Sequence, residues 1–126
     1  MSRYNVEIFD RALLDEANER RAARGLDELQ VNAQLEEGVE QHLVNNGFTH
    51  ANTQAGNYGA GEILYSEYGY SLDNPEAFAE RVIAGWEGSS GHAAILFDPD
   101  AALVGIGVAM DQNSNEVIAG QWVYDI

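Results

Sequence analysis

The chain is 126 residues long, enough for one domain with its own core, and carries a formal net charge of -15 in which all 6 basic residues are arginine. A surface this acidic repels nucleic-acid phosphates and anionic membranes, and a chain without cysteine holds neither a disulfide nor a thiolate metal site. No run is long and apolar enough to span a bilayer, and residues 1–7 contain no apolar signal segment, so the compartment stays open on these grounds. Acidity without lysine suits adaptation to high salt, where charge repulsion is screened within about 3 Å at 1 M, and it suits an ordinary soluble surface equally well.

In chain order, residues 8–24 predict a helix with Phe9, Ala12, Leu13 and Ala17 near helical spacing and Gly25 as its C-terminal stop. Asn18 and Arg21 share one face of it, where their side chains can tie neighbouring backbone. Asn32 is a good N-cap for a second helix reaching Asn46 and closed by Gly47, with Leu35, Val39, His42 and Leu43 on its inner stripe. His42 therefore reads as a core or rim histidine rather than a ligand. The stretch 50–61 is polar and without period, as functional loops often are. Its Gly56-x-x-Gly59-x-Gly61 pattern is not a dinucleotide fingerprint, because no apolar strand precedes it and no capped helix follows.

A short segment from Glu62 to Tyr68 reads as helical. Asn74-Pro75-Glu76 then opens a helix with a cap, a proline in the first turn and an acid that the helix dipole favours. Phe78, Val82 and Trp86 recur along it at four-residue spacing, beside Ala79 and Ile83. Gly88-Ser89-Ser90-Gly91 is expected to turn tightly and hold His92 in a defined place on a loop. From Leu103 to Met110 large apolar residues alternate with small ones, which suits a strand lying flat against a helix. The Asp111, Asn113, Asn115 spacing resembles the start of a calcium loop but lacks its glycine and distal glutamate, so it reads as a hairpin turn before a returning strand over 117–124. Helices with an antiparallel sheet make the fold class α+β, a three-layer α-β-α sandwich with a small sheet between helices, in a single domain over 1–126 with 1–7 as an N-terminal extension.

The order of Asn18-Glu19-Arg20-Arg21, Phe48-Thr49-His50, Gly61-Glu62, Gly85-Trp86 through Gly91-His92, Gly105-Ile106-Gly107-Val108 and Gln121-Trp122-Val123-Tyr124 resembles the CAP superfamily, or SCP domain. That family includes cysteine-rich secretory proteins, venom antigens, plant pathogenesis-related proteins and bacterial secreted proteins. A chain without cysteine is closer to a bacterial or archaeal type. The resemblance implies the α-β-α sandwich, an extracellular setting, and a structural role for Asn18 and Arg21. It also implies that His50 and His92 face each other across a central cleft beside Glu62.

Two imidazoles and a carboxylate form a set that can take zinc or another divalent cation, weakly for want of a third firm ligand, with Glu62 as ligand or orienting group. The pattern departs from the family in two places. Ser89 stands where many members have a second acid, and Ile63 where asparagine usually follows the glutamate; Glu87 is not expected to replace the missing acid. The resemblance thus implies a secreted binding or effector module, monomeric, with a small apolar ligand or a protein as partner. The alternative is a metal-dependent hydrolase or peptidase with Glu62 as general base. Tyr58, Tyr65, Tyr68 and Tyr70 would line a ligand groove or else cover the core.

Overall fold

Strong strand signals lie at the C-terminal end, and the sheet is built on them. The computed structural model describes residues 3–50, 61–69 and 74–125. Its elements are β1 (Arg3–Asn5), α1 (Glu7–Ala23), β2 (Gln30–Val31), α2 (Ala33–Asn46), β3 (Gly61–Tyr68), α3 (Pro75–Glu87), α4 (Ser90–Leu96), β4 (Ala101–Asp111) and β5 (Glu116–Asp125). β4 and β5 form the antiparallel hairpin, β3 adds antiparallel to β5, and β1 and the short parallel β2 share the other edge of β4. The expected α-β-α sandwich is therefore observed.

Each strand presents alternate residues to two layers, because successive side chains point to opposite faces. Val104, Ile106, Val108 and Met110 of β4 pack with Phe9 and Leu13 of α1 and with Phe78, Val82 and Trp86 of α3. On the opposite face, Ile118 and Trp122 pack with Leu35, Val39 and Leu43 of α2. The large-small alternation of β4 has a direct cause: its glycines lie under α2. A Cβ on Gly105 would fall 2.4 Å from the Leu35 carbonyl carbon, and one on Gly107 would fall 3.3 Å from the Glu40 Cα.

The caps expected for the helices are present. The side chains of Asn32 and Asn74 accept hydrogen bonds from the backbone of Leu35 and Ala77. Gly25 and Gly47, with φ of 75° and 70°, take the positive-φ backbone that favours glycine at the ends of α1 and α2. Asn18 brackets both backbone groups of Leu29, and Arg21 donates to the carbonyls of Asp27, Leu96, Asp98 and Ala101.

Three expectations change. Residues 62–68 are strand rather than helix: Ile63 and Tyr65 enter one layer and Leu64 the other, so burial on both faces removes the polar alternation that marks a half-exposed strand. His92 lies on the helix α4 rather than on a loop, with Ser89 in the extended conformation of an N-cap. The N-terminal extension contributes β1, whose three residues are too few to show a period.

Gly105→Ala should cost about 3 kcal/mol in urea unfolding, since α2 would have to lift off the sheet. Gly91→Ala, where nothing lies within 4 Å of the added carbon, should cause no loss; equal effects of the two would show that α2 does not rest on Gly105.

Candidate functional site

Glu62 lies near the start of β3, directly opposite Trp122 of β5 in the sheet register. Its side chain is 7% exposed and both oxygens are engaged. Trp122 Nε1–H donates to Oε2 at 2.7 Å, and the ring of His50 donates from Nδ1 to Oε1 at 2.7 Å. A carboxylate can only accept, so Nδ1 carries the hydrogen and the neutral ring keeps its lone pair on Nε2. The His50 side chain is 61% exposed.

His50 is placed by the end of α2. The buried ring of His42 donates from Nε2 to the Thr49 carbonyl and accepts from Asn46 Nδ2 at 3.1 Å. The same ring lies 6.5 Å from Trp122. His42 is thus the core histidine expected from its spacing, and it also fixes the residue before His50, a role that helical spacing does not reveal. Gly38 completes the arrangement, for a Cβ there would come 2.6 Å from the Trp122 ring. Only glycine lets α2 lie this close to the indole that holds Glu62.

His92 is carried by α4, in the other layer. Ile95 of α4 packs on Gly61, where an added Cβ would meet it at 3.2 Å, and His92 stands one helical turn before Ile95 on the same side. The ring is half-buried. His50 and Glu62 are therefore joined directly, while His92 is carried by a helix seated against the residue preceding Glu62.

The remaining candidates are distributed differently. Ser89 is half-buried at the turn into α4, and its carbonyl accepts from the Ala93 amide at 2.8 Å. Glu87 turns to α1, pairing with Arg20 at 2.7 Å and Arg24 at 3.0 Å. Ile63 is fully buried among core residues on the α3 side. Tyr65 packs edge-on against Phe78 and Tyr68 is exposed, whereas Tyr58, Tyr70, Gly56 and Gly59 lie outside the described residues.

A second group of acids lies in a cleft of about 550 Å³ between α1 and α2, lined by Glu7, Asp10, Arg11, Glu36 and Glu40 among others. Carboxylate oxygens of Asp10, Glu36 and Glu40 come within 4.8 Å of one another. Asn5 Nδ2 donates to Asp10 Oδ2 and Glu40 Oε2, each at 3.0 Å, and its own Oδ1 accepts from the Val108 amide. Burial pushes the Asp10 carboxyl up to about 9; the Asn5 hydrogen bond opposes this, while Glu40 raises it both as a proton-sharing partner and as a like charge. Glu36 is also raised, first by burial and then by Glu40 and Glu7. The four-residue spacing of Glu36 and Glu40 on one helix face is visible in the sequence, but nothing there brings Asp10 to them.

The model of the cysteine-rich secretory protein (CAP) family matches residues 14–124. Among solved structures, the chain is similar to an outer surface protein from Borrelia burgdorferi, with TM-score 0.71, 18% identity and 98% of each chain covered. It is similar to NaASP2, solved with Zn2+, at TM-score 0.75 and 14% identity, covering 94% of this chain and 80% of that one. Manganese-bound Ac-ASP-7 follows at TM-score 0.68 and 14% identity, with 94% and 69% covered. No curated protein is similar to it in sequence at a significant level.

The raised Asp10 carboxyl sets the sign of a pH effect. The folded state holds a proton that the unfolded chain releases near its ordinary value of 3.8, so the stability linked to this group is lost as pH rises toward about 9. In chelator-containing buffer, wild type should lose at least about 1 kcal/mol between pH 5 and pH 8, and Asp10→Asn should flatten that slope; parallel slopes in urea titrations would contradict the assignment.

Proposed function

We propose, from the premise that this chain belongs to the cysteine-rich secretory protein family, that it is a secreted binding module whose working site is the cleft of His50, Glu62 and His92. The observation that carries this reading is the Glu62 carboxylate, fixed by Trp122 on one oxygen and orienting the exposed His50 ring with the other. A carboxylate behind an imidazole is the usual outer support of a metal-binding histidine, since it sets the tautomer and raises the basicity of the far nitrogen.

His50 and His92 are the residues that would hold the ion, with Glu62 as the orienting group behind His50. Zinc suits nitrogen donors, and a bound ion would supply Lewis acidity at the cleft. The family relatives solved with Zn2+ and with Mn2+ support a divalent-metal reading, and the Borrelia outer surface protein supports an extracellular setting. Two histidines without a third firm ligand make the ion weakly held and pH-dependent.

Binding is the reading favoured over hydrolysis because the two hydrogen bonds of Glu62 give it an orienting role, between Trp122 and the His50 ring. The module then presents the metal-loaded cleft to a small apolar ligand or a protein partner, acting as a monomer.

Calorimetric titration of the metal-free protein with zinc at neutral pH should show one site that disappears in the His50→Ala, His92→Ala double variant. Trp122→Phe, which removes the donor to Glu62, should weaken zinc about tenfold. Undiminished binding in the double variant would overturn the assignment of this site.

A further inference from the structure

The acids between α1 and α2 have no part in the zinc cleft, and the strongest sign of a ligand there is an oxygen. Asp10 is 5% exposed, lines the cleft, and its Oδ1 makes no hydrogen bond among the described residues. A buried carboxylate oxygen without a partner costs on the order of 1–3 kcal/mol, and a fold tolerates it where something else satisfies it. Asn5 leaves Oδ1 in this state, because its single amide nitrogen ties Asp10 Oδ2 to Glu40 Oε2. Asn5 is itself held by the Val108 amide, so the sheet helps to orient the two acids.

The spacing fits one chemistry. Oxygens bound to a common calcium ion at about 2.3–2.6 Å lie no more than about 5 Å apart, and one oxygen from each of Asp10, Glu36 and Glu40 meets that limit at 4.8 Å. The donors are all hard oxygens, and among the described residues lining the cleft none is a histidine that would favour zinc or copper. The cleft has ample room for the waters that complete a calcium shell. Among the described residues lining it, Glu7 adds a further acid at the wall, against the single arginine Arg11.

We propose that Asp10, Glu36 and Glu40 form a second cation site, distinct from the histidine cleft, that takes a hard divalent ion of the calcium type and clamps α1 to α2. The ion would satisfy the acidic oxygen, Asp10 Oδ1, that the described residues leave without a donor. The clamp is mechanical as well as ionic, since α1 packs against one face of the sheet and α2 lies on the other.

The test uses the full chain, stripped of metal, in 0.1 M NaCl. Calcium titration followed by calorimetry and thermal unfolding should show one saturable site and a rise of several degrees in Tm. Asp10→Asn should lose at least tenfold in calcium affinity yet remain folded, because asparagine has nearly the shape of aspartate. Glu36→Gln should lose a similar amount. The His50→Ala, His92→Ala double variant should lose zinc and keep the calcium response, which separates failure of this site from failure of the histidine cleft. No saturable calcium binding in wild type, or an equal Tm rise in wild type and Asp10→Asn, would reduce the cluster to a proton-sharing carboxyl pair and overturn the proposal.

Discussion

The structure depends on one buried cation. Arg21 is completely inaccessible, and its guanidinium donates to the Asp27 carbonyl at 2.8 Å, to those of Leu96 and Asp98 at 3.0 Å, and to that of Ala101 at 3.5 Å. A buried charge is tolerated only when such partners replace its water, and removing it would strand several carbonyls at on the order of 1–3 kcal/mol each. Those carbonyls belong to the turn after α1, the end of α4 and the start of β4. One side chain thus sets where three segments meet, and through Leu96 it fixes the helix that carries His92.

The second constraint is close approach. α2 can lie on the sheet only because Gly105 and Gly107 have no side chains, and it can cover Trp122 only because Gly38 has none. The indole is then held where it donates to Glu62, and Glu62 orients His50. Packing at the glycines and chemistry at the histidine belong to one sequence of contacts. Gly61 repeats the device on the other side, where Ile95 seats α4 beside the same strand.

What is legible in the sequence follows from which signals are local. Asn32 and Asn74 announce helix starts through their own side chains, and Gly47 marks a stop through its own backbone, so these boundaries can be read directly. The pairing of Asn18 and Arg21 on one face is legible as a backbone tie, although the carbonyls it reaches lie as far away as Ala101. β3 reads wrongly as helix because a strand buried on both faces has no alternation to show. β1 and β2 are too short for any period, and their strand state comes from the edge of β4. His42 is recognisable as a core residue, but its hold on Thr49 depends on the fold of the loop. The convergence of Asp10 with Glu36 and Glu40 is tertiary, and among 21 acidic residues no local pattern isolates it.

The proposed zinc cleft requires His50, Glu62 and His92 to act as one site. The most direct test is an anomalous difference map at the zinc edge, from crystals grown with zinc at neutral pH. The expected result is a single strong peak within coordination distance of ring nitrogens of both His50 and His92, with Glu62 still bonded to Nδ1 of His50. A peak on one histidine with the other turned away, or a peak at neither, would contradict it.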